Sequence, residues 1–333
     1  MKSKVLRNFL KCLIVLFTAI PHCAMLLASQ VQDSHRAPWD SPVASSKVIR
    51  LGSATIQVDF GPGDLDLSRE DVLRWIETAG RAIAMYVGKF PVANARILVV
   101  PVEGDRGVLT GTTWGDVGGV AAFTRMRLGQ HTTADDLLND WTMTHELTHM
   151  AFPSLSEEHH GLEEELATYI EPVARVQIGT LTPSQIWRDM YRDMRKGEPR
   201  PTDTGLDHTH SWASTYWGGA LFCLAADIKI RQETGNRKGL QDAMRGIVAA
   251  GGTIDHEWPI RKVLAIGDQV TGTTVLTTLY KDMGEKFEYV ALDDLWKQLG
   301  VGVENGNLVL DGSAPLARIR ERITSPDLHI DSK

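Results

Sequence analysis

The stretch Trp141-Thr142-Met143-Thr144-His145-Glu146-Leu147-Thr148-His149-Met150 holds two histidines four residues apart, with a glutamate directly after the first. On a helix, residues four apart stand one turn above each other, so both imidazoles can reach a single ion from one face, at roughly 2.0–2.1 Å each for zinc. Glu146 sits about 100° further round, given 3.6 residues per turn. Its carboxylate then lies beside such an ion rather than on it, where it can take a proton from metal-held water as that water attacks a carbonyl. The spacing H-E-x-x-H therefore predicts metal-assisted hydrolysis, with His145 and His149 as ligands and Glu146 as general base. A polar helix face that merely carries two histidines is the simpler alternative. Against it, Leu137, Leu138, Trp141, Thr144, Leu147 and Thr148 predict a mostly buried helix, and buried imidazoles and carboxylates need partners.

A zinc site that acts on a substrate has three protein ligands and one open position. A glycine and then a histidine soon after His149 would supply the third in one class of such enzymes, but Phe152 and Leu155 occupy those places. The next candidates lie in His159-His160-Gly161-Leu162-Glu163-Glu164-Glu165-Leu166-Ala167-Thr168-Tyr169, which reads as a second amphipathic helix. Leu162, Leu166, Tyr169 and Val173 form its packing stripe, which leaves Glu164 and Thr168 together on another face. Glu164 is the expected third ligand, with Glu163 and Glu165 open as alternatives; the simpler reading of those two is a solvated helix start, where carboxylates suit the helix dipole. His159 and His160 diverge as helix neighbours and are not expected to ligate. His208 and His210 are loop residues that could line the cleft opposite the metal.

Residues 162–169 resemble the gluzincin pattern L-x-E-G-x-A-x-Y, with Glu165 standing where that pattern has Gly. Ser214-Thr215-Tyr216-Trp217-Gly218-Gly219-Ala220-Leu221 and Asp227-Ile228-Lys229-Ile230-Arg231, with Gly239-Leu240-Gln241-Asp242, are similar to the region after the zinc helices in glycyl aminopeptidase-like and related gluzincin aminopeptidases. The resemblance spans about residues 110 to 250. It implies a thermolysin-like zincin fold of the α+β class, zinc held by His145, His149 and Glu164, and a peptide or protein substrate. It also implies that Tyr216 donates a hydrogen bond to the oxyanion of the tetrahedral intermediate. The substrate strand of those families often carries a Glu that binds a free α-amine, and Gly115-Asp116-Val117-Gly118-Gly119-Val120-Ala121 has none. Aminopeptidase activity as such does not follow. Gly118 and Gly119 would either let a peptide backbone approach an edge strand or form a plain turn or bulge.

The elements that must position these residues are legible in outline. Ile56, Val58 and Phe60 alternate as in a half-buried strand, stopped by Gly61-Pro62-Gly63. Ser68 with Asp71 caps a helix whose apolar face is Val72, Trp75, Ile76, Ala79, Ile83 and Tyr86. Strands are expected at 97–102 and at 117–124. One helix should run from a cap at Thr133 to a stop at Pro153, followed by helices near 158–178, 183–196, 214–234, 238–250, 272–283 and 314–323. Asn305-Gly306 predicts a hairpin turn. Asp227 and Arg231, four apart, should pair structurally.

The first thirty residues differ from the rest. Lys2, Lys4, Arg7 and Lys11 precede an apolar run that ends near Ala28, the form of a secretory signal or an uncleaved membrane anchor. Export to the periplasm, free or held at the inner membrane, is expected. The domain reading is leader 1–29, linker 30–46, an α+β lobe with the substrate edge strand over 47–131, and a mainly helical zinc-binding lobe over 132–333. The formal charge is −7, and the leader holds only basic charges, so the body is more acidic still and no nucleic-acid partner is expected. Cys12 and Cys23 fall in the leader, so Cys223 has no partner for an internal disulfide and reads as a packed small hydrophobe. No G-x-S-x-G elbow, phosphate loop or dinucleotide fingerprint is present. The reading is a zinc metallopeptidase. The alternative is a non-catalytic cell-envelope module that keeps a zincin fold for binding or assembly.

Overall fold

In a computed structural model, residues 37–156, 159, 161–198, 212–284 and 290–325 are described. Residues 1–36, which include the expected leader, and the stretch with His208 and His210 lie outside them. Pro38–Asp40 form a short 3-10 turn.

Alternation of apolar and polar residues marks β2 (Ala54–Phe60), which forms an antiparallel hairpin with β1 (Ser45–Leu51). The Ser68 hydroxyl accepts from Asp71 N and opens α1 (Arg69–Val87), and Gly88 closes it in the left-handed region at φ 88°. Every residue of the expected apolar face of α1 is buried. The helix is a crossover, because β3 (Asn94–Val102) returns parallel to β2. Next come β4 (Val108–Val117) and β5 (Val120–Gly129), with β5 inserted parallel to β3. The sheet order is β1-β2-β3-β5-β4, which leaves β4 on an edge.

The strand expected over 117–124 is in fact a hairpin turn with the ends of two strands. Val117 pairs with Val120, and Gly118 and Gly119 between them take φ of 62° and 79°. Two successive positive φ values match the right-handed twist of the strands, which is the reason for two glycines there. The pair makes the turn between β4 and β5.

The helix expected from Thr133 to Pro153 is two helices, α2 (Ala134–Asn139) and α3 (Thr142–His149). Thr133 caps α2 in a reciprocal capping box with Asp136. The break falls at Asp140, whose backbone turns extended and whose carboxylate accepts from Thr142 N (3.1 Å), Met143 N (3.0 Å) and Trp75 Nε1 (3.1 Å). A side chain that can cap a new helix competes with continuing the old one.

The rest is mainly helical: α4 (Gly161–Gln177), α5 (Pro183–Asp193), α6 (Trp212–Glu233), α7 (Leu240–Ala249), α8 (Ile260–Thr271), α9 (Val275–Leu279), α10 (Leu292–Leu299) and α11 (Ala317–Ile323). Two of these, α8 and α10, were not expected. Both have helical apolar spacing and a left-handed Gly just past the end, Gly272 and Gly300. The hairpin β6 (Val301–Glu304) and β7 (Asn307–Leu310) turns at Asn305-Gly306 as expected. Trp187, Trp296, Tyr86, Tyr169 and Phe123 are fully buried anchors of the core. The class is α+β, as the resemblance implies. Among the described residues no helix is long and apolar enough to cross a membrane.

Candidate metal centre

Helix α3 enters the core behind its Asp140 cap, and Met143 through Thr148 are all buried. Leu138 and Trp141 depart from the expected burial, at 69% and 51% exposed. Both precede α3, at the corner where the chain changes direction, and so escape the packing of the helix body. Trp141 stands edge-on to the His145 ring, with centroids 5.3 Å apart, and fixes that ring from its solvent side.

The two imidazoles lie 5.0 Å apart, one turn from each other. The Glu164 carboxylate from α4 spans them: Oε2 is 3.1 Å from His145 Nε2, and Oε1 is 3.7 Å from His149 Nε2. One atom from each residue lies within 4.8 Å of the other two, and among the described residues no other three His, Cys, Asp or Glu side chains meet in this way. Donors about 2.0–2.1 Å from a tetrahedral ion stand about 3.3 Å from one another. The two measured separations bracket that value, so two nitrogens and one carboxylate fit zinc in number, type and spacing. The alternatives from the same acidic turn are engaged elsewhere. Glu163 Oε1 accepts from Leu155 N at 2.7 Å, and buried Glu165 packs against Gly219, where any Cβ would collide with its carboxylate.

Glu146 lies on the same helix but faces β4. It is buried, and burial raises its pKa to about 7, opposed by His145 and by a hydrogen bond from Thr113. Thr113 Oγ1 donates to Glu146 Oε2 at 2.8 Å. Gly111, two residues earlier on the same face of β4, has no room for a side chain, since a Cβ there would stand 2.5 Å from Glu146 Cγ. Gly115, two residues later, packs equally closely on the Ile254 carbonyl. Nothing in H-E-x-x-H points to these residues. The available signal was the alternation Gly111-x-Thr113-x-Gly115, small residues at period two, which marks a strand face approached closely by another backbone.

A cavity of about 510 Å³ opens beyond His145, walled by Trp141, Thr168, Glu171, Met190 and Trp217 among others. Glu171 in its wall is buried and paired with Arg175 at 2.8 Å. Burial raises its pKa to about 7 against the pull of Arg175.

Tyr216 falls in the first turns of α6, but its side chain lies outside the described residues, as do His160, His208 and His210. His159 is turned to the Tyr280 hydroxyl, 3.0 Å from its Nδ1. Asp227 and Arg231 pair at 2.8 Å, both buried. Cys223 is fully buried among apolar side chains, which pushes its thiol pKa well up and leaves it inert.

No protein-family model matches the sequence, and no curated protein sequence matches it. Solved structures do match. An aminopeptidase N family protein from Idiomarina loihiensis superposes with a TM-score of 0.55 at 14% identity, covering 78% of this chain and 50% of that one. An M1 zinc metallopeptidase from Deinococcus radiodurans gives a TM-score of 0.46 at 17% identity, covering 74% of this chain and 52% of that one. The chain spans about half the length of these structures. Its fold is that of the aminopeptidase N family structure, in keeping with the gluzincin resemblance.

Proposed function

We propose that this chain is a zinc-dependent metallopeptidase in which His145, His149 and Glu164 hold the ion and Glu146 is the general base. The observation that carries the reading is the meeting of three electron-pair donors from α3 and α4 at zinc-ligand spacing, with a buried carboxylate that is not one of them on the same helix. Zinc, when bound there, polarises a peptide carbonyl and makes water more acidic. Glu146 takes the proton from the attacking water and returns it to the leaving amine. Burial suits this work, because it raises the proton affinity of the carboxylate above its ordinary value and so helps it take a proton from water and hold it for the leaving amine. As an edge strand, β4 has one side of its backbone open to pair with an extended peptide. The cavity beyond His145 receives a substrate side chain. Tyr216 is proposed as the donor to the oxyanion. The leader residues support an exported, periplasm-facing protein, free or anchored.

The test is metal analysis of purified wild type and Glu146→Gln, beside digestion of a broad peptide library. Zinc in both proteins is expected, with cleavage by wild type and a loss of about 10²- to 10⁴-fold in the variant. Equal cleavage by both removes Glu146 from the mechanism. Zinc without cleavage in either points to a zincin fold kept for binding or assembly.

A further inference from the structure

Thr113 has one hydroxyl proton and three oxygens within reach: Glu146 Oε2 at 2.8 Å, the Glu146 backbone carbonyl at 3.1 Å and Thr124 Oγ1 at 3.0 Å. Thr124 decides where that proton goes. Its side chain is fully buried, and Thr113 Oγ1 is its hydroxyl's one hydrogen-bond partner among the described residues. A buried hydroxyl that fails to donate leaves a polar hydrogen unsolvated, so Thr124 donates to Thr113. The Thr113 proton is then directed to Glu146, where the carboxylate oxygen is both nearer than the backbone carbonyl and the stronger acceptor. Thr113 and Thr124 are directly opposed in the β4–β5 register, so the order Thr124, Thr113, Glu146 is built into strand pairing. Gly111, on the same strand face, leaves room for the carboxylate, since a Cβ there would stand 2.5 Å from Glu146 Cγ and 2.9 Å from Cδ and Oε1.

We propose that Thr124 and Thr113 form a two-hydroxyl chain that positions Glu146, holding Oε2 and leaving Oε1, which has no protein donor among the described residues, to take the proton from water. The proposal rests on the reading of Glu146 as general base. No proton passes along the chain. Its work is to restrict the carboxylate to one orientation, which a water or a rotating side chain would not do.

The experiment uses the zinc-loaded full chain as wild type, Thr113→Val, Thr113→Ser, Thr124→Val and Glu146→Gln, assayed on the best peptide from the library digest. Thr113→Val keeps shape and removes the hydroxyl, and is expected to lower kcat about 10- to 100-fold with KM changed less than about twofold. Thr113→Ser restores the hydroxyl and should recover most of that loss. Thr124→Val should lower kcat several-fold, and it carries the test alone if Thr113→Val does not fold. Zinc affinity, measured by competition with a chelator, should stay within about twofold in the threonine variants, since the ligands are untouched. Crystal structures should show the Glu146 carboxylate displaced in Thr113→Val and in place in Thr113→Ser. Wild-type kcat in Thr113→Val or Thr124→Val, no rescue by Ser, loss of zinc along with kcat, or an unmoved carboxylate each overturns the positioning role. Full activity in Glu146→Gln instead overturns the general-base reading beneath it.

Discussion

Helix α4 contributes to two clusters of ionisable groups built on different rules, one buried around Tyr169 and one half-buried around Glu164. Around Tyr169, every strong acceptor meets a donor: Asp227 Oδ1 takes Arg231 Nε at 2.8 Å and Leu240 N at 3.0 Å, and Oδ2 takes the Tyr169 hydroxyl at 2.9 Å. Around Glu164, two imidazole nitrogens and a carboxylate converge at 3.1 and 3.7 Å, where the carboxylate can accept from a protonated ring nitrogen or share a cation with two unprotonated ones. The first arrangement is electrically complete and ties α4, α6 and the start of α7 together. The second, on the function proposed above, is completed by zinc. Burial of charge alone therefore does not mark a site. A carboxylate shared by an Arg, a Tyr and a backbone N–H marks structure, and two imidazoles with one carboxylate at ligand spacing mark a candidate metal site.

Asp227→Asn is the largest test of that contrast. It leaves Arg231 buried without its counter-charge, and a loss of about 3–5 kcal/mol is expected in denaturant unfolding, with zinc stoichiometry unchanged while the protein is folded. A variant as stable as wild type, or one that loses zinc while still folded, would break the comparison. A middle-sized effect belongs to Glu146 in chelator-treated protein. Its pKa is about 7 when folded and 4.5 ordinarily, so between those values the folded state holds a proton that the unfolded chain has released. Stability contributed by this group is present below about pH 4.5 and is lost as pH rises toward 7. Glu146→Gln should consequently gain on the order of 3 kcal/mol relative to wild type between pH 4.5 and 7.5, read from unfolding midpoints at the two pH values. A difference that does not change with pH would show that burial does not tune this carboxylate. The smallest effect is that of Asp140→Ala, expected to weaken the start of α3 by about 1 kcal/mol in the same unfolding assay. No change would mean that packing alone holds the corner.

Much of this was legible before any coordinates. The apolar face of α1, its Ser68 cap, the Asn305-Gly306 turn and the Asp227–Arg231 pair follow from spacing of three, four or two residues, and the chain realises each of them. The errors have a common cause. The division of the helix expected over 133–153 turns on Asp140 finding Trp75, a residue 65 positions away. The hairpin at Gly118-Gly119 read as a strand because apolar residues continue on both sides of it, and only pairing reveals a turn.

By itself the sequence determined that His145 and His149 share a helix face and that Glu146 does not, because helical geometry is periodic and local. It also narrowed the third donor to three adjacent glutamates. Tertiary structure alone decided that Glu164 reaches both rings while Glu163 turns back to Leu155 N. It decided as well that β4 lies against Glu146, bringing Thr113 to a carboxylate 33 residues later. Such contacts join elements whose sequences carry no shared period, and their geometry is set by how sheet and helices pack.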